Sequence, residues 1–253
     1  MVTATLPISI KKTLTRRRQN QIIAIQNETC QWIYDVEIIK QLAGRFFSKL
    51  YTPEQGVNSP YTVRGCFPMI SDDICLSLMS TVTNKEVRRT IFRMSPFNAP
   101  EVDGFHAGFY LAQWSTIGIS LCSFIKNIFN SNHITAEINR TLLVLIPKVD
   151  HPTSLKMFRP ISLCTISYKM VMKIIANKLQ ALLPYLIGPQ QTSFVSGRHI
   201  TENIVIAQEV IHTMKKKVGV KRIMAVKVDL EKAYDRLSWC FIQETLKEVG
   251  LPE

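Results

Sequence analysis

Apolar residues recur at helical spacing over residues 36–51, where Val36, Ile39, Leu42, Phe46, Phe47 and Leu50 mark one stripe. A Pro/Gly/Ser/Asn-rich loop over 53–68 follows, and then signals for two short helices. Ser71 with Asp72 and Asp73 is a helix start. Thr83 followed by Glu86 has capping-box spacing ahead of Val87, Ile91 and Phe92. Residues 98–104 read as a turn-rich break, and 115–130 as a further helix. Leu142, Val144 and Ile146, with apolar neighbours, predict a buried strand ending at Pro147. A polar loop, Lys148–Lys156, leads to a short extended run at Arg159–Leu163. From Tyr168 the stripe Val171, Met172, Ile175, Leu179 and Leu182 predicts a helix stopped by Pro184, and 201–216 predicts another. Residues 222–229 alternate, with Met224, Val226 and Val228 on one face and Ala225, Lys227 and Asp229 on the other, which predicts a strand. A last helix is predicted over 239–249. The layout is α+β, helix-rich at the front, with strands concentrated after residue 140.

Composition narrows the function. The chain has 253 residues, 46% of them hydrophobic and 20% charged, which excludes global disorder. A formal net charge of +12 favours a polyanionic partner, nucleic acid first among them. The basic run at Lys11, Lys12 and Arg16–Arg18 suits a nuclear-targeting or phosphate-contacting arm, or a solvated terminus. None of the six cysteines forms a C-x-x-C pair or has zinc-finger spacing, and no secretory leader pattern opens the chain. Reduced thiols, mostly buried, are therefore expected in an intracellular protein. The apolar stretch Ile117–Phe129 is interrupted by Lys126 and is too short to span a bilayer.

The segment richest in chemistry is Val226–Arg236. It places Asp229 at the end of an apolar strand, with Tyr234 five positions later. A carboxylate held on a rigid strand is what a metal-dependent phosphoryl-transfer site requires. A strand-end aspartate that caps the next helix has the same pattern. Gly197 permits a tight turn, and Arg198 beside it suits a phosphate or base. Lys148 and Arg159 flank the polar loop after the first strand, in reach of a triphosphate from two sides.

Taken in order, Leu145-Ile-Pro-Lys148, Phe158-Arg-Pro-Ile-Ser-Leu163, Tyr168-Lys169 with Ala176-Asn-Lys-Leu179, Gln191-Thr-Ser-Phe-Val-Ser-Gly-Arg198 and Val228-Asp-Leu-Glu-Lys-Ala-Tyr-Asp-Arg236 resemble the reverse transcriptase of LINE-type, non-long-terminal-repeat retrotransposons, especially those of plants. Ser95–Phe105 resembles the motif that opens this polymerase, and residues 16–95 the connector from the element's endonuclease. The resemblance implies a right-hand polymerase with fingers and an incomplete palm over 95–253, after a basic arm and helical connector over 1–94. It implies Asp229 as the first catalytic, metal-binding aspartate, with the Leu230 carbonyl on the second of two Mg²⁺ ions. Tyr234 would screen the sugar 2′ position, Lys148 and Arg159 would grip the triphosphate, and Gly197 and Arg198 would lie near template and primer. Asp235 is expected at a helix start or in a salt bridge. The implied partners are an RNA template, a DNA primer and deoxynucleoside triphosphates, in a nuclear or cytoplasmic ribonucleoprotein.

The sequence departs from the family at several points. Glu101 and Val102 replace Gly and Pro, Met157 stands where aspartate is common, and Ser196 where proline is usual. No Tyr-X-Asp-Asp motif occurs in the 253 residues, and Asp72-Asp73 reads as a helix start. The expectation is an amino-terminal fragment, inactive by itself. The alternatives are a noncatalytic nucleic-acid-binding remnant and a decayed pseudogene product.

Overall fold

A computed structural model describes residues 20–52, 67–68, 70–98, 103–217, 223–229 and 237–252. The elements in chain order are β1 (Ile25–Gln26), β2 (Trp32–Ile33), α1 (Val36–Tyr51), α2 (Asp72–Met79), α3 (Asn84–Phe92), α4 (Ala107–Ala112), α5 (Trp114–Ser131), β3 (Thr141–Pro147), β4 (Phe158–Cys164), α6 (Ile166–Gln180), α7 (Leu183–Leu186), α8 (Ile200–Lys216) and α9 (Trp239–Val249), with a 3-10 turn at Leu155–Met157. This mixed content agrees with the α+β expectation. The chain divides into two units. One comprises residues 1–52, 95–113 and 133–168; the other comprises 53–94, 114–132 and 169–253.

In the first unit, β1 and β2 form a small antiparallel ribbon. Asn27 shapes its turn: Oδ1 accepts from the backbone N–H of Thr29 (3.0 Å) and Gln31 (2.9 Å). This is the local bonding that makes asparagine a turn residue. Asp35 then starts α1, its carboxylate accepting from the N–H groups of Glu37 (2.8 Å) and Ile38 (3.0 Å). Buried Ile25, Ile39 and Phe158 form a core against which Ile22, Ile33, Leu145 and Leu155 pack. The ribbon β1–β2, helix α1 and the hairpin β3–β4 thus share one core. In α4, Gly108 answers a steric need: a Cβ there would meet the Pro96 carbonyl oxygen at 3.0 Å.

The second unit is helical. Thr83 and Glu86 complete the predicted capping box of α3. Helix α3 packs on α5. The buried face of α3 is Val87, Thr90 and Ile91; that of α5 is Gly118, Leu121, Cys122, Ile125 and Ile128. Each fully buried Val or Ile on these faces contributes roughly 1.5–3 kcal/mol. Lys178 of α6 reaches the end of α2, donating to the carbonyls of Leu78 (2.9 Å) and Ser80 and to the Ser80 hydroxyl (3.3 Å). It satisfies carbonyls that a helix end leaves without partners. Gly250, with φ +77°, ends α9, and its carbonyl accepts from the Cys75 thiol of α2 (3.7 Å).

Several expectations are corrected. Residues 223–229 form no strand: among the described residues no neighbour pairs with them, and Met224, Val226 and Val228 are 82%, 70% and 75% exposed. Alternation predicts which residues share a face, but a strand exists only where a partner accepts its backbone bonds. The stripe of α6 is also displaced. Met170, Val171 and Ile174 are buried, whereas Met172 and Ile175 stay substantially exposed. Strand β3 is half-buried, since a two-stranded ribbon covers one face only. The longer strands lie after residue 140 as expected, and two short ones, β1 and β2, precede them. Of the five described cysteines, all free thiols, only Cys122 is buried. The basic arm (1–19), most of the 53–68 loop and the Glu101–Val102 departure lie outside the described residues.

Candidate nucleotide and nucleic-acid site

In the first unit, β3 and β4 run antiparallel in the register Thr141↔Cys164 through Pro147↔Phe158, so Ile146 faces Arg159. Pro147 and Pro160 cannot donate to a ladder, and a two-stranded ribbon tolerates them because each strand has an open edge. The pairing extends one residue further: the Lys148 N–H donates to the Met157 carbonyl (2.8 Å). Lys148 therefore stands opposite Met157, and Arg159 is its diagonal neighbour on the same face, ordinarily about 7–8 Å away. Both are exposed. The Lys148 ammonium donates to the Lys156 carbonyl (3.3 Å) within the loop. Among the described residues no carboxylate pairs with either cation. Two like charges side by side without a counter-charge form a local positive focus, suited to an anion with several oxygens.

In the second unit, Arg198 is occupied. Its Nη1 donates to the carbonyls of Gly188 (2.6 Å) and Gln191 (2.6 Å), and its Nη2 to that of Ile187 (2.8 Å). The guanidinium fork thus closes the loop that follows α7. Asn203 of α8 ties the same loop, donating to the Gln190 carbonyl (3.0 Å) and the Thr192 hydroxyl (3.1 Å). Gly197 has φ +81°, the left-handed turn its position predicts. In this structure Arg198 therefore holds the loop in shape and does not extend into solvent.

Asp229 is exposed, at the end of the segment 223–229, which pairs with no strand among the described residues. No group of three or more His, Cys, Asp or Glu side chains occurs around a common point among the described residues. Among the described residues, Asp229 therefore belongs to no such ligand group. Leu230, Tyr234 and Asp235 lie outside the described residues. Lys178 and Asn203 had motif neighbours in the sequence but no legible role; long-range bonds to carbonyls leave no local pattern.

Residues 146–253, which include the β4 strand, the Arg198 loop and Asp229, match the reverse transcriptase (RNA-dependent DNA polymerase) family model. Over those residues, less than half of the chain, it is similar to reverse transcriptases. It is also 27% identical over 236 residues to the transposon TX1 uncharacterized 149 kDa protein of Xenopus laevis, an alignment covering 90% of this chain and 17% of that protein. The chain thus spans about one sixth of the relative it matches. Enzymes of the reverse transcriptase family generally use divalent metal ions. No described helix is long and apolar enough to cross a membrane.

Proposed function

We propose that this chain serves as the fingers and first part of the palm of an RNA-directed DNA polymerase from a plant-like, LINE-type retrotransposon. Residues 1–94 act as arm and connector, and 95–253 belong to the polymerase. The observation that carries the reading is the Lys148–Arg159 pair, exposed on one face of the β3–β4 hairpin at the start of the family match. That pair grips the triphosphate of a deoxynucleotide. Gly197 and the loop closed by Arg198 support the template and primer. Asp229 and the Leu230 carbonyl contribute the first ligands for Mg²⁺, and Tyr234 screens the sugar 2′ position. In the complete enzyme the ions activate the primer 3′-hydroxyl and steady the phosphates. The described residues supply one carboxylate toward them, so these residues deliver a ligand and do not by themselves complete turnover. The setting is an intracellular ribonucleoprotein containing RNA template and DNA primer.

The test is a fusion that supplies the downstream reverse transcriptase portion of a close relative after Glu253, assayed for primer extension. Asp229→Ala is expected to abolish extension. Lys148→Ala and Arg159→Ala are expected to raise the KM for deoxynucleotides more than they lower kcat. Tyr234→Ala is expected to relax discrimination against ribonucleotides. An Asp229→Ala fusion as active as its parent would sink the proposal.

The exposure of Asp229, outside any described group of three or more metal-ligating side chains, favours one further reading: a noncatalytic nucleic-acid-binding remnant. Strong RNA binding with no extension by the fusion would select it.

A further inference from the structure

Helices α3 and α5 leave between them an open cleft of about 350 Å³. It lies upstream of the reverse transcriptase match, and none of the residues assigned to catalysis or nucleotide binding lines it. From α3 come Asn84, Lys85 and Arg88; from α5 come Trp114, Ser115 and Ile119. The i, i+3 and i, i+4 spacings place each set on one face of its helix. We propose that this cleft binds an unpaired nucleobase of a nucleic-acid strand, stacked on Trp114, with Lys85 and Arg88 on the adjoining phosphates.

The aromatic surface is built, not incidental. The Trp114 ring lies against Gly118 one turn on, where an added Cβ would stand 2.8 Å from Cε2. Phe92 meets the indole edge-to-face, with ring centres 5.5 Å apart and planes at 84°. Arg88 lies over the Phe92 ring, 4.7 Å from its centre. These contacts fix the indole plane while leaving it half-buried, with its open part on the cleft. A guanidinium stacked on a ring keeps its N–H edge free for a phosphate. Lys85 and Arg88 are exposed, and among the described residues neither pairs with a carboxylate. Glu86, the nearest acid in sequence, is held by the Thr83 capping box. The Asn84 amide and Ser115 hydroxyl offer donors and acceptors to a base edge, and Ile119, 83% exposed, gives an apolar rim. Aromatic stacking combined with cations is how proteins hold single strands without reading sequence, at about 1–3 kcal/mol per stacked base. An acidic peptide would use the cations but not the ring, and so explains less of the site.

The test uses the full chain carrying Trp32→Phe and Trp239→Phe, so that Trp114 is the sole tryptophan. It is titrated with a single-stranded oligouridylate, with uridine monophosphate and with polyglutamate, following indole fluorescence and, for the labelled strand, anisotropy. Saturable quenching by the oligonucleotide is expected, at least tenfold tighter than by the free nucleotide. Lys85→Ala with Arg88→Ala, at exposed positions, should weaken it at least fivefold. In a parallel anisotropy series Trp114→Phe should retain more strand affinity than Trp114→Leu, with circular dichroism confirming that both fold. Strand binding seen by anisotropy with no change at Trp114 would overturn the cleft assignment and leave the polymerase reading standing. Equal quenching by polyglutamate, tighter binding of the free nucleotide, or no response to any probe would also overturn it.

Discussion

The indole of Trp114 rests on Gly118: a methyl at residue 118 would stand 2.8 Å from Cε2 and 3.0 Å from Cδ2 of the ring. Gly118 is therefore chosen for what it lacks. Gly118→Ala has two opposed effects. The helix interior gains about 1 kcal/mol from the better helix former. Crowding against the ring costs typically 1–3 kcal/mol if nothing moves. A half-buried indole does move, so the expected outcome is a melting midpoint within a few degrees of the parent and a red-shifted Trp114 emission. An unchanged spectrum would show that the ring does not depend on this glycine.

Arg198 should behave as a structural residue in the free chain. Its fork donates to three carbonyls within 2.8 Å, and a charge-assisted bond of this kind contributes about 1.5–3 kcal/mol. Partial exposure puts the net effect at the low end. Arg198→Ala is expected to lower unfolding free energy by about 1–2 kcal/mol, on that basis, in urea titration. Arg198→Lys should recover little of it, because an ammonium cannot span carbonyls on both sides of the loop. Full rescue by lysine would contradict the fork geometry.

Burial pushes the Cys122 thiol up from its ordinary value, partly opposed by the nearby Lys126 charge. The thiolate is the reactive form. Alkylation at neutral pH should therefore label exposed Cys30 and Cys240 first and Cys122 last, with the Cys122 rate rising only at higher pH. A thiol whose folded value is raised favours the fold fully below its unfolded value, and that contribution is lost as pH rises through the folded value. Peptide mapping after timed alkylation at stepped pH checks the order. Early labelling of Cys122 would refute it.

Binding of RNA or an RNA–DNA duplex by the chain should fall steeply with salt and show little sequence preference. The motive is the +12 balance together with the exposed pair Lys148 and Arg159. Each phosphate contact releases counterions, so several contacts change affinity by orders of magnitude between low and physiological salt. An affinity that stays flat over that range would argue against backbone contacts.

How much of this was legible in the sequence depends on the range of each interaction. Helices α1 and α9 begin and end where their apolar periods do, and the Thr83–Glu86 box is visible in four consecutive letters, because helix signals are local. The strand expected at 222–229 is absent over the described residues 223–229, because alternation says nothing about a partner. The stripe on α6 was misplaced because Met170 and Ile174 compete with equally apolar neighbours, and only packing chooses among them. At the candidate site, Lys148 and Arg159 were legible as flanking cations, but their common face follows from the β3–β4 register. The engagement of Arg198 was not legible, since its acceptors are backbone carbonyls that every residue carries. Trp114 was hidden for a similar reason: its partners Phe92 and Gly118 lie on two helices, and Gly118 contributes by absence.

The reach of Lys178 to Leu78 and Ser80 spans about 100 positions of chain. Helix α2 is short and buries none of its residues, so it has little to hold it before that ammonium arrives. Closing a loop of this size carries an entropic cost that only a formed α6 can offset. During synthesis α2 leaves the ribosome well before Lys178 does, and its last carbonyls are served by water until then. The end of α2 therefore keeps its bonds to the Lys178 ammonium only while α6 is formed.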